Sequence, residues 1–126
     1  MSTVIDVSKI SLSGETLLKN FVEKMNLEGA IIATSEGLEM ANYFTKERDA
    51  DLLASDTASL LSVTMGVLED AEKDSFKEMI ISSSDGFIAV KDLGEEIALA
   101  VLTPSDYKMG ALIVALKQFI KDIQEF

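Results

Sequence analysis

The stretch FKEMIISSSDGFIAVKDLGEEIALAVLT, residues 76–103, decides the fold. It contains three apolar runs, and the turns between them fall at Asp85-Gly86 and at Gly94. An Asp-Gly pair between apolar runs is a strong short-range signal for a β-hairpin, because both residues tolerate the backbone angles of a tight turn. We therefore predict three consecutive antiparallel strands. The run ALAVL is apolar at every position, which predicts that both faces of the sheet are covered.

Two more apolar runs lie upstream, EGAIIAT (residues 28–34) and LEMANYF (residues 38–44), and the turn at Gly37 between them predicts a second hairpin. Helical spacing of apolar residues predicts a first helix over 13–26 and a longer second helix over 49–71, capped by Asp49 or Asp51. With a third helix near the C-terminus, the order is α-β-β-α-β-β-β-α. This order predicts an α/β (α+β) domain with a five-stranded, largely antiparallel sheet and helices on both faces.

The two ends of the sequence are harder to assign. Residues 1–12 are predicted as an N-terminal arm, for which a short strand, a docking segment and a loose end are all open, and residues 13–126 as one domain. The third helix is predicted to start at Pro104, with Thr103 as its N-cap. Its predicted buried stripe consists of Met109, Leu112, Leu116, Phe119 and Ile123.

Composition excludes several classes of function. The 126 residues include no cysteine and no histidine, so the chain lacks thiol nucleophiles, imidazole bases and the commonest metal ligands. We expect a protein that is not an enzyme, with no catalytic residue, no cofactor and no metal site. The net charge of −11 makes nucleic acid and anionic membranes poor partners. Met1–Ile10 does not resemble a signal peptide, so we expect a cytoplasmic protein.

The second helix carries a row of small side chains. Ala50, Ala54, Ala58, Ser62 and Gly66 occur at every fourth position, which aligns them along the helix. Such a row lets another backbone approach closely. Two interpretations stay open: the row fits the helix tightly onto its own sheet, or it forms a helix–helix contact between two copies of the chain. Beside it runs a larger apolar stripe: Leu53, Leu60, Leu61, Thr64, Val67 and Leu68.

The strand MIISSS, residues 79–84, follows this helix and contains neither lysine nor proline, two common guards of an exposed sheet edge. If it lies at an edge, a second chain could pair with it, although burial within the monomer is the alternative. The predicted dimer interface consists of Ala54, Ala58, Leu61, Ser62, Met65, Gly66, Met79, Ile80, Ile81 and Ser82. A second surface for a partner is predicted at Arg48, Ser55, Asp56 and Ser59. Arg48 is the only arginine, and it is interpreted either as an arginine finger or as a solvated surface residue.

The order of elements and the turn motifs together resemble the roadblock (roadblock/dynein-light-chain) family, as found in stand-alone prokaryotic proteins. The resemblance covers residues 14–123 and is carried by Glu28-Gly29-Ala30, Ser35-Glu36-Gly37-Leu38, the helix over 50–66, Ser84-Asp85-Gly86 and Leu93-Gly94-Glu95. It implies a profilin-like fold with one helix on one sheet face and two on the other. It also implies dimerisation through the second helix and the third strand.

The same resemblance supplies the functional hypotheses. Roadblock proteins bind or regulate small Ras-like GTPases, one of them a bacterial cell-polarity GTPase, or serve as scaffold subunits of larger assemblies. Our leading hypothesis is therefore a non-catalytic homodimeric adaptor or regulator of a small Ras-like GTPase. The alternatives are a structural dimerisation or scaffold subunit of a larger complex and a small-ligand sensor on a profilin-like sheet.

Overall fold

The computed structural model describes residues 5–126, which form three helices and five strands. In chain order these are α1 (Val7–Lys24), β1 (Gly29–Thr34), β2 (Glu39–Phe44), α2 (Ala50–Asp70), β3 (Glu78–Ser83), β4 (Gly86–Gly94), β5 (Ile97–Leu102) and α3 (Met109–Gln124). The predicted order of elements is confirmed. The strands form one sheet in the order β2-β1-β5-β4-β3, and every neighbouring pair is antiparallel.

Helices cover both faces of the sheet, as predicted. α1 and α3 pack on one face, where the rings of Phe21 and Phe119 meet with 4.8 Å between their centroids. α2 lies on the other face, against a smaller cluster that includes Ile31, Val90 and Ala100. The central strand β5 is buried along its whole length, which accounts for its continuous apolar run.

The first helix begins at Val7 rather than at residue 13 as predicted. Asp6 caps it, because its carboxylate accepts hydrogen bonds from the Lys9 backbone N–H at 3.2 Å and the Ser8 hydroxyl at 2.7 Å. These two hydrogen bonds hold the pKa of Asp6 below its usual value. Ile10 is fully buried, so part of the predicted N-terminal arm belongs to the domain core. Residues 1–4 of that arm lie outside the described residues.

The third helix begins later than predicted, at Met109, and Lys108 stands at its N-cap position. Thr103 instead closes β5: its buried hydroxyl accepts from the Phe87 N–H at 2.8 Å and donates to the Pro104 carbonyl. Tyr107 anchors the intervening turn, since its hydroxyl donates to the Met25 carbonyl at 2.7 Å. Burial raises the pKa of Tyr107. Met109 is 43% exposed, although the rest of its predicted stripe is buried.

Candidate interaction surface

The second helix leaves much of its apolar surface uncovered. Asp49 caps it by accepting from the Leu52 N–H at 3.0 Å, and only Ala54, Thr57 and Leu61 of the helix are buried. Val67, which belongs to the larger apolar stripe, is 58% exposed, and Val63 is 66% exposed. A helix with this much exposed apolar surface is typical of one that contacts another protein.

By length and composition alone, α2 is the one helix within residues 5–126 that could cross a membrane. Core helices of soluble proteins pass the same test, so the observation is weak evidence for a membrane span. Only 17% of its apolar window is buried inside the chain. The exposed part of the window includes Val63 and Val67, which residues 5–126 of a single copy leave open to solvent.

Strand β3 lies at an edge of the sheet, which is one of the two positions that its sequence left open. Met79, Ile80 and Ile81 are partly buried, and Ser82 is exposed. Ser82 pairs with Phe87 of β4. The Phe87 N–H donates to the Thr103 hydroxyl, and the Phe87 carbonyl accepts from the Thr103 N–H. Thr103 directly follows β5, so both groups of Phe87 point away from β3. Because paired residues in an antiparallel ladder alternate between bonded and non-bonded, the backbone N–H and C=O of Ser82 face the open edge.

A direct contact joins the edge strand to the helix. The Thr64 hydroxyl donates to the Met79 sulfur at 3.1 Å. Between α2 and the sheet lies a cavity of about 300 Å³ with Leu53, Leu60, Ile88 and Val90 in its lining. Met79 and Ile81 pair with Val90 and Ile88, so they share the α2 face of the sheet. We call the combined patch the α2–β3 surface: Leu60, Val63, Thr64, Val67, Met79 and Ile81.

The row of small residues does not lie on the α2–β3 surface. Ala54 is fully buried by the chain's own sheet. Ala58 faces the β1–β2 turn, where a β-carbon built on Gly37 would lie 3.7 Å from the Ala58 Cβ. Ser62 is exposed, and a β-carbon on Gly66 would have nothing within 4 Å. The first half of the row thus permits close packing within the monomer.

The structure therefore does not bring the row of small residues and β3 onto one surface. On a helix, Ala58, Ser62 and Met65 project from the flank opposite Leu60 and Thr64. Ala54 and Leu61 of the predicted interface lie inside the chain. The residues that sequence reasoning missed are Leu52 and Val63, both largely exposed. The available signal was that these apolar residues fall outside the single stripe that a surface helix needs.

The four residues predicted as a partner surface are only partly brought together. Ser55, Asp56 and Ser59 are exposed on α2, and Asp56 and Ser59 also line the cavity beside it. Arg48 lies before the helix, where its Nη2 pairs with Glu28 Oε1 at 3.4 Å. Among residues 5–126, no three acidic side chains are grouped closely enough to hold a metal ion.

Comparisons with known proteins agree with this architecture. The sequence profile of the Roadblock/LC7 domain matches residues 13–103. A comparison with curated protein sequences finds no match to this chain. MglB of Myxococcus xanthus superposes with a TM-score of 0.80 at 13% identity, covering 88% of this chain and 91% of its own.

Two further solved structures share the fold. A Roadblock/LC7 domain from Streptomyces avermitilis gives a TM-score of 0.77 at 16% identity and covers 88% of this chain and 94% of its own. An MglB solved in a tetrameric arrangement gives 0.77 at 14% identity and covers 99% of this chain and 98% of its own. At these identities the likeness establishes the fold.

Proposed function

Because this chain belongs to the Roadblock/LC7 domain family, we propose that it is a non-catalytic, homodimeric adaptor or regulator of a small Ras-like GTPase. The family profile spans residues 13–103, which include the whole sheet and α2. The fold is that of MglB, a similar protein that has been solved in a tetrameric arrangement. Self-association and a protein partner are the parts of the proposal that these similarities support most directly.

The observation that carries the homodimer is the open edge of β3 beside the uncovered flank of α2. Pairing of β3 with its copy would satisfy the outward N–H and C=O groups of Ser82. A two-fold axis at that edge would join two five-stranded sheets into one and bring two α2 helices together. Val63 and Val67 would then be covered.

This geometry changes the helical half of the predicted interface. Met79, Ile80, Ile81 and Ser82 stay in it as the edge strand. On α2, the contact passes from the row of small residues to Leu60, Val63 and Val67, because this flank faces β3 through the contact between Thr64 and Met79.

The regulator is proposed to act without contributing a catalytic residue. Arg48, the one arginine available as a finger, is paired with Glu28. Regulation would then come from contacts with the switch loops of the GTPase. We place its contact surface on the exposed α2 residues Ser55, Asp56 and Ser59, and the complex in the cytoplasm, where such GTPases work.

The test is capture of a GTPase from the native cell extract by the tagged protein, in the presence of either GDP or a non-hydrolysable GTP analogue. The affinity between the two purified proteins is then measured with each nucleotide. We expect one nucleotide state to bind at least about tenfold more tightly. Ser59→Lys should weaken that binding, whereas Val114→Lys, exposed on the opposite sheet face, should not. Capture of a stable complex without a GTPase would instead support the scaffold alternative. A small molecule that copurifies in the α2 cavity would support the sensor alternative.

A further inference from the structure

A groove runs along the flank of α2 that faces away from β3. It consists of two adjoining cavities of about 410 and 470 Å³, which share Met65 and Asp92 in their linings. The first reaches the β1–β2 turn at Ser35 and the β4–β5 turn at Glu96. The second continues to Phe76 in the segment that leads into β3. The first cavity lies on the flank of α2 opposite the α2–β3 surface, so it stays open in the proposed dimer.

The floor of the groove is apolar and its rim is acidic. Leu61 and Ile97 are buried beneath it, and Met65 is 41% exposed. Four acidic residues and one lysine line it: Glu69, Asp74, Asp92, Glu96 and Lys73. The residues that line it thus carry an uncompensated negative charge above an apolar surface.

The β4–β5 turn fixes the carboxylate of Asp92 and the backbone of Glu96. Asp92 Oδ1 accepts from the Gly94 N–H at 3.0 Å, and the Glu96 carbonyl accepts from the Ser35 N–H at 2.9 Å. The second bond ties the β4–β5 turn to the β1–β2 turn. A partner would therefore meet the Asp92 carboxylate in a fixed position and the Glu96 side chain on a fixed backbone, which lowers the entropy cost of binding.

We propose that this groove binds an extended segment of a partner protein in which arginine or lysine alternates with apolar residues. The apolar side chains and the aliphatic stems of the cations pack on Met65 and Leu61, while the cationic groups reach Asp92 and Glu96. Charge complementarity selects this occupant, because an acidic or purely apolar segment would leave the rim carboxylates unpaired. The inference does not rest on the identity of the GTPase or on dimerisation.

The experiment uses the full chain and a fluorescein-labelled decapeptide of alternating arginine and leucine, at about 150 mM salt so that distant charges are screened. Methyl NMR offers a matched pair of reporters, since Met65 lies in the groove and Met109, on α3, is similarly exposed at 43%. We expect the peptide to shift the Met65 methyl signal and to leave Met109 unchanged. A peptide of alternating arginine and serine should bind about tenfold more weakly, because it lacks the apolar contacts.

The charge test compares two double variants with the same change in net charge. Asp92→Asn with Glu96→Gln, which retains an oxygen at position 92 for the Gly94 N–H, should weaken binding roughly three- to tenfold. Glu15→Gln with Glu23→Gln, both exposed on α1, should leave it unchanged. Any of four results would overturn the proposal. These are equal weakening of binding by both double variants, equal shifts of the Met65 and Met109 signals, a shift confined to Met79, and no binding of the peptide.

Discussion

Thr64 on α2 donates a hydrogen bond to the sulfur of Met79 on the edge strand β3, with 3.1 Å between the two atoms. This contact determines which flank of α2 lies beside the open edge of the sheet. Leu60 and Val67 lie on the same flank as Thr64, because they are four residues before it and three residues after it in the helix. Ala58 and Ser62 lie on the other flank. The helix thus has two separate flanks, one beside β3 and one beside the acidic groove.

The first prediction separates these flanks with neighbouring substitutions. Val63→Lys should dissociate the dimer, because it places a charge in the proposed apolar contact between helices. Ser62→Lys adds the same side chain one residue away and should leave the dimer intact. Sedimentation velocity at micromolar concentration measures the outcome, with circular dichroism as the control for folding. Dissociation by Ser62→Lys alone would return the contact to the row of small residues.

The second prediction tests the edge of β3. Ser82→Pro removes an N–H that faces the open edge, so the monomer should fold while the dimer weakens at least about tenfold. Ser83→Pro is the matched control, since Ser83 pairs with Gly86 next to the hairpin turn and should destabilise the monomer itself. A dimer of Ser82→Pro that is as tight as the parent would show that β3 does not pair across the axis.

The sheet could be predicted from the sequence because its signals are local. The turns at Gly37, Asp85-Gly86 and Gly94 sit between apolar runs, and each run became a strand. The start of α3 could not be predicted in this way. Thr103 and Pro104 have the residue types of a helix start, but the Thr103 hydroxyl is already bonded to the distant Phe87 N–H. A tertiary hydrogen bond thus overrides a local capping pattern.

The candidate site was only half predictable for a similar reason. The lack of guards in β3 is visible in the sequence, whereas its position at the edge follows only from the order of the strands in the sheet. The orientation of α2 is not local, because it depends on Met79 beneath one flank and Gly37 beneath the other. The row of small residues could be seen from its spacing, whereas the side of the sheet that it faces could not.

A third prediction uses two glycines as a matched pair. Gly86 has φ of +130°, and a β-carbon there would lie 2.3 Å from the Thr103 carbonyl oxygen, so Gly86→Ala should cost about 2–4 kcal/mol of unfolding free energy. Gly66→Ala meets no atom within 4 Å inside a helix and should add about 0.5–1 kcal/mol. Urea unfolding in the Val63→Lys background removes the contribution of dimerisation. Similar values for both variants would contradict the packing at Gly86.

A fourth prediction concerns the β4–β5 turn. Glu95 and Glu96 have φ of 53° and 60°, a region that asparagine and glycine occupy more readily. Glu95→Asn with Glu96→Gly should therefore raise the unfolding free energy by about 1–2 kcal/mol. Glu36→Asn, which changes an exposed acid in the β1–β2 turn, should alter it by less than about 0.5 kcal/mol. A stabilisation by Glu36→Asn about half as large as that of the double variant would assign the effect to charge, because it removes one negative charge instead of two.

The last prediction asks whether Arg48 is a finger or a structural partner. Its ion pair with Glu28 joins two side chains that are each about one-third exposed, so Arg48→Ala should cost less than about 1 kcal/mol of stability. Glu28→Ala should cost a similar amount, and the double variant little more, because both changes remove the same contact. Single-turnover GTP hydrolysis by the captured GTPase should be unaffected by Arg48→Ala. An arginine finger contributes about a thousandfold or more to hydrolysis, so a loss of that size would show that Arg48 leaves Glu28 to enter the active site of the GTPase.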